Sequence, residues 1–316
     1  MSSRVITLTL NPALDIASTA DAVRPMHKIR TSDEHVDPGG GGINVSRVVH
    51  ALGGDTLALV LAGGVTGSLV TQLLDDAAVP HLAMRMAGRT RISLTVYDRT
   101  AKVEYRFVPE GPEVTEADWQ PVLDELERLD GDWIVASGSL PRGMPEDMYA
   151  RVARIARRRG KRFVLDTSKG PLKAALGSGI DLVKPSLSEL EGLVGRPLPT
   201  LDEREQEARR LVREGAARMV VVTLGGEGAF LATANEVIHM PALEGPVRSA
   251  VGAGDAFLAS MVLAMSRGAL PRETLGWGIA AGAAAVAQVG TARVTQEAVA
   301  SQYERLCRGL SQAERG

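Results

Sequence analysis

Only one of the 316 residues is cysteine, Cys307. That excludes an intramolecular disulfide and any metal site built on a cysteine cluster. The five histidines are scattered, with no His-x-x-x-His or Cys-x-x-Cys spacing, so a structural zinc site is not expected. An excess of one charge is missing too: 36 basic against 38 acidic residues leave a formal charge of −2. Nothing in that balance advertises a nucleic-acid or anionic-membrane partner. The apolar stretch 279–289 is rich in Ala and Gly and too short to span a bilayer. The chain opens almost at once on a strand, residues 4–10, and lacks a signal-peptide layout; a cytoplasmic location is expected.

The usual nucleotide fingerprints are also absent. There is no G-x-x-x-x-G-K-[ST], and no strand–G-x-G-x-x-G–helix unit with a ribose-binding acid at the expected spacing. The turn Gly225-Gly226-Glu227-Gly228 runs on into strand-like residues, which is the wrong context for a dinucleotide, and this disfavours a dehydrogenase. The protein-kinase signature set is missing as well.

What is present is the composition of a globular protein, 45% hydrophobic and 23% charged, long enough for one large α/β domain or two smaller ones. Short β-branched runs at residues 4–10, 56–61, 133–136, 163–166, 182–184 and 219–223 read as strands. Most are near-continuously apolar, as expected when helices cover both faces of a sheet. Helical patterns at 42–52, 68–77, 116–129, 146–159, 203–214, 254–266, 272–288 and 295–306 alternate with them. The rhythm predicts a mostly parallel sheet made of β-α-β units. Two stretches break it. Residues 12–38 are polar with no clear core helix, and residues 90–108 read as an antiparallel pair, 92–97 and 103–108. A small sheet over one edge suits a lid, a dimer contact or a plain surface hairpin.

The segment Val251-Gly252-Ala253-Gly254-Asp255 precedes an apolar helical pattern. Small residues at a helix start leave N–H groups bare, and with the helix dipole they favour an anion. Asp255 beside that pocket fits either a capping acid or a base in phosphoryl transfer. Gly39, Gly40, Gly41 and Gly42 form a run whose conformational entropy is expensive for a purely structural turn. Such a run lets backbone approach a ligand, and Asn44 then presents an amide suited to hydroxyls. Asp15 follows the first strand, at the sheet end where α/β proteins bind ligands; an exposed turn acid is the other reading. Arg91 and Arg106 lie on the pair of extra strands, where with Lys28 they suit a phosphate. Lys184-Pro185-Ser186 ends a strand, and Glu189 opens the next helix, either as a dipole-favoured acid or as a magnesium ligand. Thr223, Gly225 and Gly228 leave a strand in a turn compatible with nucleotide phosphates or with a hairpin.

Taken in order, these elements resemble the PfkB family of ribokinase-like carbohydrate kinases, from Thr9-Leu10-Asn11-Pro12 to Gly290-Thr291. Within the family the chain is most similar to the sugar-phosphate branch: the minor bacterial 6-phosphofructokinase, 1-phosphofructokinase and tagatose-6-phosphate kinase. The glycine run and Glu104-Tyr105-Arg106-Phe107-Val108 resemble the first of these; the other two usually carry lysine where Gly41 stands. The resemblance implies an α/β fold, a ribokinase-like, Rossmann-type three-layer α/β/α domain over residues 1–316. A small β-sheet lid, from about 12–38 and 90–108, would close over sugar and serve as a homodimer clasp. It implies ATP and Mg2+ as cofactors, a K+ neighbourhood, and Asp255 as general base on the C1 hydroxyl of fructose 6-phosphate. The N–H groups of Gly252, Ala253 and Gly254 would stabilise the transferring phosphoryl group. Asp15, Gly39, Gly40, Gly41, Gly42 and Asn44 would hold the sugar, and Lys28, Arg91, Arg106 and Ser139 its phosphate. Lys184, Ser186, Thr223, Gly225 and Gly228 would line the ATP site, with Glu189 near Mg2+. Two departures stand out. Ser186 replaces the family's asparagine, which predicts weaker or water-mediated metal–nucleotide contacts, and Ala250 removes a hydroxyl beside the nucleotide or monovalent cation. A catalytically silent sugar-phosphate or nucleotide sensor is the competing expectation.

Overall fold

The computed structural model describes residues 3–288 and 291–313. Val289 and Gly290, which end the Ala/Gly-rich stretch and open the last family-like element, lie outside the described residues.

In the main sheet, β1 (Val5–Thr9), β4 (Thr56–Ala62), β5 (His81–Arg85), β8 (Trp133–Ser137), β9 (Arg162–Asp166), β10 (Leu182–Val183) and β11 (Met219–Thr223) run parallel. The strands β12 (Ala229–Ala232) and β13 (Val237–Met240) extend it antiparallel, giving the order β13-β12-β11-β10-β9-β8-β1-β4-β5. The apolar runs make sense because both faces are covered. Ile6 and Leu8 point into one core cluster with α3 (Glu116–Arg128), α4 (Met148–Arg158) and α7 (Leu201–Arg213). Val5 points the other way, to α8 (Ala253–Ser266), α9 (Pro271–Val286) and α1 (Gly41–Ala51). Period-2 alternation thus persists inside a run that looks uniformly hydrophobic. A smaller cluster seats α2 (Gly64–Asp76) against β4. No helix of the described residues is long and apolar enough to cross a membrane.

The second sheet has the order β3-β2-β6-β7, from β2 (Ala13–Ala20), β3 (Thr31–Gly39), β6 (Arg91–Asp98) and β7 (Val103–Phe107). Here the sequence alternates openly. Asp15 faces Ser93 and Asp37 across the ladders, and Thr95 faces Arg106, so one side is polar. Leu94 pairs with Phe107 on the other side, and both stand well exposed, at 43% and 56%. Short helices α5 (Lys169–Ala175) and α6 (Leu187–Val194) and the C-terminal α10 (Gln296–Ala313) complete the chain.

Candidate active site

The carboxyl ends of the parallel strands and the polar side of the small sheet bring most of the candidate residues together. Helix α8 begins at Gly252, whose φ of 77° is left-handed and favours glycine. The N–H of Ala253 turns back to Ala250 O at 3.3 Å. Among the described residues, no protein acceptor takes the N–H of Gly252, Gly254 or Asp255. Two of the three N–H groups expected to cradle an anion are therefore free, and Asp255 adds its own. The Asp255 carboxylate accepts from Asn44 Nδ2 at 2.8 Å. Burial, and then the nearby Asp166 carboxylate, push its carboxyl up to about 7, against the pull of Asn44 and Lys184. The Asn44 Oδ1 is buried with no partner, an acceptor left open beside the acid.

Lys184, at the end of β10, is buried and pairs with Asp166 at 3.0 Å. Burial works against the ammonium charge, yet Asp166 holds the group above its ordinary value, so the lysine stays protonated. Asp166 ends β9 and also accepts from Ser137 Oγ at 3.3 Å. No sequence motif marked it; its one signal was an acid at the carboxyl end of a predicted parallel strand. Ser186 caps α6 in a reciprocal box with Glu189: Ser186 N and Oγ donate to Glu189 Oε2 at 2.8 and 2.9 Å, and Glu189 N returns a bond to Ser186 Oγ. Glu189 is thus both the cap partner and a wall of a 260 Å³ cleft that includes Gly41, Ser139, Asp166 and Asp255. Among the described residues no three acidic, His or Cys side chains form a ready-made metal cage. One carboxylate of this cleft, Glu189, is still enough to fit Mg2+, which takes one or two carboxylates and fills its remaining positions with phosphate oxygens and water.

The glycine run turns out to be crowded by the protein itself. A Cβ at Gly42 would sit 2.5 Å from Thr9 Oγ1 and 2.6 Å from Leu8 O. At Gly41 it would strike Ser137 Oγ, and at Gly39 the Asp15 carboxylate. Gly40 has φ 122°. The sequence reading expected close approach to a ligand; the close approach that the fold itself requires is to strands β1, β2 and β8.

A larger cleft of 680 Å³ lies between the polar side of the small sheet, including Asp15, Ser93, Thr95 and Arg106, and the segment 247–251 that leads into α8. Burial pushes the Asp15 carboxyl up to about 6, opposed by Arg106 and Arg91. The four residues grouped with the sugar phosphate are placed differently from one another. Arg106 lines this cleft. The Arg91 guanidinium donates from its two terminal nitrogens to Pro109 O at 2.7 Å and Asn11 O at 3.0 Å, while its Nε is buried with no partner. Lys28 is exposed in the β2–β3 connection and outside the cleft wall. Ser139 belongs to the smaller cleft and accepts from Asn11 Nδ2 at 3.1 Å. Of the residues expected to line the ATP site, Thr223 bridges to Ser186, and Gly225 lies exposed in the following turn. Gly228 is needed for packing, since a Cβ would collide with Met240 O.

The sheet order, with an acid at a helix N-terminus between a polar sheet and a buried lysine–carboxylate pair, is that of the ribokinase-like α/β fold, and the chain's relatives make it a phosphotransferase. It matches the pfkB family carbohydrate kinases over residues 8–298 and belongs to that family. It is 46% identical over 304 residues to the ATP-dependent 6-phosphofructokinase isozyme 2 of Mycobacterium tuberculosis, covering 95% of this chain and 89% of that one. It is 31% identical over 292 residues to the 1-phosphofructokinase of Vibrio cholerae, covering 92% of each. Crystal structures of phosphofructokinase-2 from Escherichia coli, with potassium and with substrates and products, superpose at a TM-score of 0.92 with 34% identity. They cover 96% of this chain and 99% of that one.

Proposed function

We propose that this chain is an ATP-dependent 6-phosphofructokinase that moves the γ-phosphoryl group of ATP onto the C1 hydroxyl of fructose 6-phosphate. The observation that carries the reading is Asp255: a carboxyl near neutrality, hydrogen-bonded to Asn44, at the mouth of a helix with unpaired N–H groups. A base with a value near the working pH can accept a proton and still be ionised before the reaction. As the C1 oxygen attacks phosphorus, its proton passes to Asp255 and the bond to the β-phosphate oxygen breaks. Charge growing on the transferring group falls on the N–H groups of Gly252 and Gly254, and on that of Ala253 if it turns from Ala250. Asp15 and Asn44 accept from sugar hydroxyls, and Arg106 attracts the 6-phosphate. Arg91 keeps an unpartnered Nε beyond its bonds to Pro109 and Asn11, and adds its charge beside Arg106. Lys184 and Ser186 face the nucleotide, and Glu189 holds Mg2+, which supplies neutralisation of the phosphate oxygens when bound. K+ is a further candidate ligand, since a crystal structure of the E. coli relative contains potassium, and the family resemblance puts its neighbourhood near Ala250.

The small sheet serves as lid over the sugar cleft, and residues 1–316 form one kinase domain with it. Its outer face, with Ile92, Leu94, Val103, Tyr105 and Phe107 all exposed, supports a homodimer joined through that face. Sedimentation of Phe107→Glu tests this; a variant that assembles like the parent would end the idea. A cytoplasmic location fits a metabolic kinase and is checked by fractionation. The runner-up is a fructose 1-phosphate or tagatose 6-phosphate kinase, favoured by the 31% identity to a 1-phosphofructokinase. A panel of the three sugar phosphates with ATP and Mg2+, read by ADP release, separates these readings; absence of turnover on all three would favour a silent sensor.

A further inference from the structure

Asp37, near the end of β3, has no part in the chemistry above, yet only 6% of its side chain is exposed. Its Oδ1 accepts from Arg47 of α1 at 3.1 Å and from Arg293 at 2.9 Å. The Thr291 N–H approaches Oδ2 at 3.5 Å, and Arg47 Nη1 donates to Thr291 O at 3.1 Å. Residues on both sides of Ala292 are therefore tied to one carboxylate and its arginine. Ala292 itself has φ 50°, a left-handed conformation that a non-glycine residue holds only where its surroundings impose it. Its N–H reaches Val251 O at 3.4 Å, and a Cβ on Gly252 would lie 2.6 Å from Ala292 N. The strained residue is thus packed directly on the turn that opens α8. At the other end, Asp37 sits opposite Asp15 in the β2–β3 ladder.

We infer that Asp37 is a positioning residue: with Arg47 and Arg293 it clamps residues 291–293, and through Ala292 it holds the Gly252 turn in register with the sugar-binding end of the small sheet. The clamp joins the strand that carries one substrate to the N–H groups that face the other. Misplacement of reacting groups by about 1 Å is enough to lower turnover about a hundredfold, so a device of this kind is worth its buried charges. The inference rests on the kinase reading.

The test compares wild type, Asp37→Asn, Asp37→Glu, Arg293→Gln and the double variant Asp37→Asn/Arg293→Gln in the full-length chain, by steady-state kinetics and by amide exchange of peptides covering 250–256. Wild-type turnover of fructose 6-phosphate with ATP decides the kinase reading separately. The clamp predicts that Arg293→Gln lowers kcat about tenfold and Asp37→Asn about a hundredfold, with KM for ATP within about twofold. Asp37→Glu should recover most of the loss, and Arg293→Gln should add nothing to Asp37→Asn, because both cut the same connection. Exchange at 250–256 should rise about tenfold or more in Arg293→Gln, a readout that needs no activity. Arg293 is half exposed, so this variant decides the matter even if Asp37→Asn does not fold. Unchanged exchange at 250–256 in Arg293→Gln, or kcat within about twofold of wild type, would overturn the inference.

Discussion

Replacing Asp255 with asparagine should kill turnover and stabilise the protein at the same time. Loss of a general base costs about 10²–10⁴-fold in rate, or roughly 3–5 kcal/mol of barrier. The fold has little reason to object. Asparagine is isosteric, and its amide oxygen can take the Asn44 bond now made at 2.8 Å. Stability moves the other way because the ionised acid is unwelcome where it lies. Its carboxyl is raised from 3.8 to about 7, first by burial and then by Asp166. The folded value exceeds the unfolded one, so the native state binds the proton more tightly between those pH values. Stability is therefore greatest at the acid side of that window and falls as pH rises through it. At about 1.4 kcal/mol per unit, the ionised group costs on the order of 4 kcal/mol above pH 7. Asp255→Asn should relieve that cost, raising the melting temperature by several degrees at pH 8, with the gain fading toward pH 4. Coupled ADP release and melting curves at both pH values make the comparison. Near-normal turnover, or a lower melting temperature at pH 8, would refute the reasoning.

Four further outcomes follow from the same geometry. The kcat/KM profile of the wild type should fall on the acid side with an apparent value near 7, as protonation of Asp255 removes the base; a profile flat down to pH 5 would contradict its assignment. Lys184→Met should lower stability by about 3–5 kcal/mol, since it strands the Asp166 carboxylate in a buried site; denaturant midpoints measure it. Gly42→Ala would gain up to about 1 kcal/mol of helix propensity but meet Leu8 O and Thr9 Oγ1, and the clash of about 1–3 kcal/mol wins, lowering the denaturation midpoint. Ser186→Ala should cost about 1 kcal/mol for the lost cap and raise KM for MgATP with kcat little changed, because the Glu189 carboxylate loses the hydroxyl donor and keeps only the residue 186 N–H to aim it.

Six of the parallel strands were legible in the sequence as apolar runs bounded by helical patterns; β5 was not, because at the sheet edge its residues are only partly buried and His81 and Arg85 break the apolar run. β12 and β13 were not, being four residues each and stabilised by pairing rather than by a pattern of their own. β3 was hidden for a different reason. Thr31-Ser32-Asp33-Glu34-His35 is poor strand material, and the segment is extended because β2 supplies a ladder. Pro38 is tolerated there because β3 is an edge. Within the site, Asn44 and the Gly252–Asp255 turn were legible as motifs. The crowding of Gly39, Gly41 and Gly42 was not, because the atoms they meet come from strands distant in sequence. Asp166 and Asp37 escaped notice since one carboxylate at a strand end carries no local signature; only the fold supplies Lys184 for one and two arginines for the other. The Ser186–Glu189 box could have been read directly from the S-x-x-E spacing.

The most direct test of the central claim is the identity of the product. Purified protein with ATP, Mg2+ and fructose 6-phosphate should release ADP, and phosphorus NMR should place the new phosphate on C1, with higher kcat/KM than for fructose 1-phosphate or tagatose 6-phosphate. No ADP, or faster turnover of fructose 1-phosphate, would contradict the account.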